Sequence, residues 1–361
     1  MATIVTARAA HASSSADAAA PFVVRNDSPE LRSCWHPIAR SAEISDDPRK
    51  FWLLGTPLVA LRLAGKLVVL HDRCPHRRAP LSAGSVVNGA IECPYHGWRF
   101  GPDGACVAIP SMQSGSFPPA ARASVPRVAE RNGLVFVALE DPIVELPEID
   151  LHESATRRVV EIEPYVGRFG AAQLIDNQID FSHFAFIHRA TFGVAEEPVT
   201  PSYDIERDDW GFRIEAEVPI VAANDPEALA GRRPLRQHRT MRYRYVAPFF
   251  VEIELSYPMS ASSMVVTFFA QPKRLEQARM YVSLAFSHPD GFTEEQLEER
   301  VGFERRVIAE DLSLQASFDE VDLPLASDAE CHVRADRASL EYRRILAALF
   351  GASRSGQTRA S

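Results

Sequence analysis

Apolar residues between positions 35 and 139 come in short runs separated by turn-forming residues. The runs at 51–54, 59–63, 67–70, 90–92 and 134–139 each have the length of a strand. Gly101-Pro102-Asp103-Gly104 and Arg131-Asn132-Gly133 punctuate them with residues that suit tight turns. This pattern predicts a small all-β region. The acidic, proline-containing stretch 140–148 marks its end.

The pattern then changes. Residues 171 to about 188 carry Leu174, Ile175, Ile179 and Phe186 at helical spacing. Runs at 241–257, 263–271 and 280–287 are rich in Val, Ile, Phe, Tyr and Thr, which fit a pleated, half-buried surface. Residues 293–311 and 335–350 read as helices. Strands followed by long helices predict an α+β fold, with an antiparallel sheet wrapped against helices. A chain of 361 residues is long enough for two domains. The expected plan is an entry segment 1–32, an all-β domain 33–140, a second domain 141–351 and a disordered tail 352–361. No internal repeat is visible.

Composition narrows the function classes. Hydrophobic residues make up 46% and charged residues 24%, the balance of a globular protein. A net charge of −9 argues against a nucleic-acid partner, because phosphate binding needs clustered Lys and Arg. No stretch approaches the roughly 20 apolar residues needed to cross a bilayer. Residues 1–20 are rich in Ala and Ser and read as a disordered leader rather than a targeting segment. Five cysteines, an odd and sparse set, point to a reducing compartment, here the cytoplasm. Cys34, Cys106 and Cys331 are expected as small core residues.

The other two cysteines carry a motif. Cys74-Pro75-His76 and Cys93-Pro94-Tyr95-His96 form a C-x-H and C-x-x-H pair with 16 residues between them. Two thiolates can hold one iron of a two-iron, two-sulfur cluster while two imidazoles hold the other. A structural zinc site draws on the same residue types, but its usual spacings are C-x-x-C and H-x₃₋₅-H. CPHRRAPLSAG followed by CPYHGWRF resembles a Rieske domain of the oxygenase type, over roughly residues 33 to 140, and Trp35-His36-Pro37 resembles its opening. His71 reads as a strand-end histidine.

A second constellation is Asn177-x-x-Asp180-x-x-His183-x₄-His188. Two neutral histidines and one carboxylate on one face of a ferrous ion leave positions open for oxygen. Five residues on an ideal helix turn the side chain by roughly 140°, so both histidines reach one metal only if the helix ends or distorts between them. The segment NQIDFSHFAFIH resembles the iron-binding segment of Rieske non-haem iron oxygenases, most closely those of the monooxygenase and demethylase group.

That resemblance implies the rest of the plan. It implies a helix-grip catalytic domain, one [2Fe-2S] cluster and one Fe(II) per subunit, and a carboxylate ligand from a C-terminal helix. Asp311, about 128 residues after His183, stands where that ligand is expected, with Glu310 and Asp319 as competing readings. It further implies a head-to-tail homotrimer in which Asp180 bridges a Rieske histidine, His96, of one subunit to His183 of its neighbour. Asn177 is expected near the iron without ligating it strongly. Electrons are expected from a ferredoxin or an NAD(P)H-dependent reductase, since the chain has no G-x-G-x-x-G. Arg73, Arg77 and Arg78 are candidates to dock an acidic donor.

The expected activity is hydroxylation or O/N-demethylation of an apolar or aromatic small molecule with O2. Ring dihydroxylation, oxidative cyclisation and electron transfer without catalysis are the rival readings. Phe249, Phe250, Ile253, Leu255, Val266, Phe268 and Phe286 are candidates for a pocket wall, although most such residues are simply core.

Overall fold

The computed structural model describes residues 23–112, 116–326 and 328–355. The leader expected over residues 1–20 lies outside them. Ten short strands come first: β1 (His36–Arg40), β2 (Arg49–Leu53), β3 (Thr56–Leu63), β4 (Lys66–His71), β5 (Ser85–Val87), β6 (Ala90–Glu92), β7 (Arg99–Phe100), β8 (Cys106–Ala108), β9 (Arg127–Arg131) and β10 (Leu134–Ala138). They make three antiparallel sheets in the orders β9-β10-β1, β2-β3-β4 and β5-β6-β7-β8. His71 ends β4, as its sequence position suggests.

Period-two alternation lets β3 serve two cores at once. Val59, Leu61 and Leu63 join Leu70, Leu81, Ile91 and Phe100 beneath the two cysteine loops. Leu58 and Ala60 point the other way, into the large core of the molecule.

The second part is one seven-stranded antiparallel sheet. Its strands are β11 (Arg157–Gly167), β12 (Ile205–Arg207), β13 (Gly211–Val221), β14 (Arg236–Val246), β15 (Phe250–Tyr257), β16 (Ser262–Arg274) and β17 (Gln277–Ser287), ordered β11-β17-β16-β15-β14-β13-β12. The run at 241–257, expected as one strand, is two. Ala247-Pro248-Phe249 turns the chain between β14 and β15, because Pro248 has no N–H to offer a ladder. β-prone residues on both sides hide that turn. β13 falls outside the expected strands although its alternation is clean, with Phe212, Ile214, Ala216, Val218 and Ile220 buried and Arg213, Glu215 and Glu217 facing out.

Four helices complete the site: α1 (Ala171–Ile179), α2 (Phe184–Ile187), α3 (Glu294–Gln315) and α4 (Arg337–Ser355). A reciprocal cap starts α3: Thr293 Oγ1 accepts from the Gln296 N–H, and Gln296 Oε1 accepts from the Thr293 N–H. The helix runs four residues beyond the expected end at 311. α4 likewise takes in residues 352–355, expected as tail.

The buried stripe of α3 is Leu297, Val301, Glu304, Ile308, Asp311 and Gln315, at alternating steps of four and three. Three of those six are polar. The sheet face packed toward the helices holds fully buried aromatics such as Tyr243 and Tyr245. Burying each contributes on the order of 2–3 kcal/mol.

The two parts are locked together. The Leu54 N–H donates to Pro272 O at 2.9 Å, and Gln271 Nε2 donates to Trp52 O at 2.7 Å. Leu53 and Leu58 share one core with Ala270 and Met280.

Candidate metal centres and active site

The two cysteine loops follow one design. In the first, the Cys74 N–H donates to Ala79 O and the Arg78 N–H to Cys74 O, at 2.8 and 2.9 Å. In the second, the Cys93 N–H donates to Trp98 O and the Gly97 N–H to Cys93 O, at 2.8 and 3.0 Å. Each loop closes through a residue in the left-handed region, Arg78 at φ +61° and Gly97 at φ +69°. Glycine takes that conformation freely, whereas Arg78 holds it at a cost.

These loops bring their ligand candidates together. Cys74 and Cys93 are buried, and the His76 and His96 rings lie 4.6 Å apart. His76 stacks on Trp98 at 4.5 Å, and its Nδ1 is buried without a hydrogen-bond partner. Burial pushes the Cys74 thiol up to about 11, and the adjacent Cys93 thiol pushes in the same direction. Two buried cysteine sulfurs and an orphaned imidazole nitrogen on facing loops fit an iron–sulfur cluster, whose binding would displace the thiol protons to solvent.

The second site is built from a broken helix. α1 stops at Ile179, and Asp180 leaves it with an extended backbone. A single turn, α2, follows, with His183 as its N-cap and His188 as its C-cap. The break removes the 140° divergence of an unbroken helix. His183 Nε2 and His188 Nε2 come within 3.2 Å of each other. Asp311 Oδ1 on α3 lies 3.4 Å from the first and 3.3 Å from the second. That oxygen is buried and has no hydrogen-bond partner. Two imidazoles and one carboxylate, converging within 4.8 Å, are a donor set that suits ferrous iron.

Each histidine is oriented from behind. Asp180 Oδ2 lies 2.9 Å from both the backbone N and Nδ1 of His183. A carboxylate only accepts, so Nδ1–H donates and Nε2 keeps its lone pair for a metal. Glu310 does the same for His188, with Oε2 2.8 Å from Nδ1 and also accepting from Thr191 Oγ1 at 2.8 Å. Burial disfavours charge on His188, but the carboxylates of Asp311 and Glu310 beside its ring outweigh it and raise its proton affinity. Burial likewise opposes charge on Asp180, yet the His183 ring and backbone hold its carboxyl below the usual range. The site thus carries negative charge that a cation would neutralise.

These ligand atoms open onto a cavity walled by Met241, Tyr243, Ile253, Leu255, Val266 and Phe268. Asn177 also lines it, with Nδ2 buried and unpartnered. Phe249 and Phe286 belong to the large core and Phe250 to a satellite core, away from this wall. Asp319 is exposed beyond the end of α3, and Glu310 faces the back of His188 rather than the ligand side. Cys34 is buried as expected, Cys106 only partly, and Cys331 is exposed, because it lies in the irregular approach to α4.

The wall residues Met241 and Tyr243 and two charged cavity residues lie outside the expected set. Arg239 lies on the buried face of β14 with Met241 and Tyr243, and Glu304 lies on the buried stripe of α3. A charge at a position where the period demands an apolar residue was the available signal.

Residues 34–128 match the Rieske [2Fe-2S] domain, and residues 170–352 match the vanillate O-demethylase oxygenase C-terminal domain. The chain is a Rieske oxygenase. Methylxanthine N1-demethylase NdmA of Pseudomonas putida is 30% identical over 345 residues, 92% of this chain and 93% of the relative. Methylxanthine N3-demethylase NdmB of the same organism is 27% identical over 88% and 89% of the two chains. The solved structure of NdmA with caffeine superposes with a TM-score of 0.78 at 28% identity, covering 91% of this chain and 94% of that one.

As a Rieske oxygenase the chain is a terminal oxygenase component, an oxidoreductase that acts with O2 and a separate reductase or ferredoxin. Its cofactors are a [2Fe-2S] cluster and a mononuclear iron. Among the described residues, no helix is long and apolar enough to cross a membrane.

Proposed function

We propose that this oxygenase removes a methyl group from nitrogen on a flat heteroaromatic small molecule. The observation that carries the reading is the convergence of His183, His188 and Asp311 on one apolar, aromatic-walled cavity. The near full-length similarity to a methylxanthine N1-demethylase favours nitrogen over oxygen as the methylated atom. Cys74, His76, Cys93 and His96 would hold the cluster, and His183, His188 and Asp311 the mononuclear iron. When bound, these groups deliver electrons and activate dioxygen.

The chain's own residues do the rest. Asp180 and Glu310 hold the two imidazoles in the tautomer that leaves Nε2 free. Tyr243, Phe268 and the aliphatic wall exclude water and keep a methyl group near the ligand set. Hydroxylation of an N-methyl carbon gives a carbinolamine, which collapses to the N–H and formaldehyde. The second oxygen atom leaves as water, using two electrons and two protons from outside the chain.

A homotrimer in which Asp180 joins His183 to the partner subunit's His96 fits two observations. The Asp180 side chain keeps 26% of its surface, and His96 is exposed. Arg73, Arg77 and Arg78 are exposed beside the cluster loops, placed to attract an acidic electron donor. A cytoplasmic location agrees with five unpaired thiols.

The test is product analysis on protein reconstituted with iron, sulfide and a reductase. N-methylated heteroaromatics should release one formaldehyde per turnover, with about three irons per chain in the wild type. His183→Ala and His188→Ala should hold about two irons and release none. A cis-diol, or oxidation without formaldehyde, would refute demethylation.

A further inference from the structure

Two charged side chains stand in the wall of the apolar cavity, and the metal chemistry uses neither. Arg239 is 5% exposed and Glu304 is 8% exposed. The guanidinium carbon of Arg239 lies 4.2 Å over the centre of the Phe192 ring, and Phe192 stacks on His188 at 4.6 Å. Arg239 is therefore two stacking steps from a ligand histidine. Glu304 precedes Asp311 by seven residues on the same face of α3, two turns or roughly 10 Å along the axis. Both side chains thus line the cavity set back from the ligand atoms, Arg239 behind Phe192 and Glu304 two helical turns from Asp311.

Their hydrogen-bonding capacity is unmet. Arg239 Nη1 donates to Tyr257 Oη at 3.3 Å, while Nε is buried without a partner. Among the described residues, neither Arg239 nor Glu304 has an ion-pair partner within 4.0 Å, including each other, and no side-chain hydrogen bond reaches the Glu304 carboxyl. Burial pushes that carboxyl up to about 7, with Arg239 the leading charge opposing the shift. A buried cation and a buried carboxyl left apart are costly unless something that enters the cavity satisfies both.

We propose that Arg239 and Glu304 read the polar edge of the substrate. The Arg239 guanidinium donates to a ring carbonyl oxygen, and Glu304 accepts from an adjacent ring N–H. The methyl group then points toward His183, His188 and Asp311. The class of ligand is a flat heteroaromatic lactam or imide. A carboxylate substrate suits Arg239 alone, since ionised Glu304 repels it. This inference rests on the cavity being the substrate site.

Theobromine presents a ring N–H between two carbonyls, and caffeine is the same ring system with that nitrogen methylated. Anaerobic titration calorimetry on the reconstituted holoenzyme should show theobromine binding at least 10-fold more tightly than caffeine. Glu304→Leu should bring the ratio to about one. Glu304→Gln, which still accepts from N–H, should keep most of it. Arg239→Leu should weaken both ligands 10-fold or more, with the cluster absorbance intact as the check on folding. Equal binding of the two ligands by the wild type, no binding of either, or a ratio unmoved by Glu304→Leu overturns the assignment. Formaldehyde release is scored separately. A preserved ratio without formaldehyde from any methylated compound sinks the demethylase reading while the edge recognition stands.

Discussion

His188 Nδ1 and Glu310 Oε2 lie 2.8 Å apart, so the ring is pinned on the side facing away from Asp311. Glu310 and Asp311 are consecutive on α3 and diverge by about 100°. His188 fits between them, with one ring nitrogen facing each carboxylate. An adjacent pair of acids divides the work of holding and orienting a single histidine.

Glu310→Ala should lower the affinity for the mononuclear iron by roughly 10- to 100-fold, with Glu310→Gln intermediate. Iron retained per chain after dialysis against a weak chelator measures this, and the cluster absorbance should not move. Unchanged retention in both variants would reduce Glu310 to an ordinary helix charge.

Asp180→Asn keeps an oxygen for the His183 backbone N–H but loses the charge. Both metal sites should still fill, while turnover slows by orders of magnitude. The rate of cluster reoxidation after mixing the reduced enzyme with O2 and substrate reports the step. Turnover within a few-fold of wild type would exclude Asp180 as the route between subunits.

Gly193 ties the fold to the site. Its N–H donates to His188 O at 2.7 Å, and an added Cβ would fall 2.1 Å from Phe184 O and 2.9 Å from His188 O. Those are backbone atoms of α2 and its cap and cannot swing aside. Gly193→Ala should cost on the order of 1–3 kcal/mol and displace His188. A lowered Tm together with a lost iron is the expected pair of readings; an unchanged iron content would show that α2 absorbs the strain.

Glu304 gives the molecule a pH-dependent weakness. Its folded-state proton affinity, about 7 against an ordinary 4.5, means the folded form binds more protons across that window. Stability therefore falls as pH rises from about 4.5 to 7, by up to ~3 kcal/mol. Arg239, Arg300 and His188 are the charges that limit the shift. Glu304→Gln should be more stable than wild type at pH 8 and nearly equal to it at pH 4, as read from urea midpoints. The same difference at both values would mean that the carboxyl stays hydrated.

Much of the site was legible because its chemistry depends on local spacing. The C-x-H and C-x-x-H loops are closed by hydrogen bonds within six residues, so ligand type and loop geometry are written together. The pairing of His183 with His188 was legible only as a condition, that the helix must break. The hairpin at Pro248 and the strand β13 were lost between neighbouring apolar runs, although alternation could have found the second.

The chain's order of residues alone determined the two ligand loops, the α+β plan and the histidine pair. Each of these follows from short-range backbone geometry and periodicity. Only the folded molecule decided which of the acids 310, 311 and 319 faces the Nε2 atoms of His183 and His188, which apolar residues wall the cavity, and that Arg239 and Glu304 share it. Those facts depend on how β14 and α3 pack across more than sixty residues of chain; a local pattern can mark Arg239 or Glu304 as a charge on a buried face, but not that the two meet at one cavity.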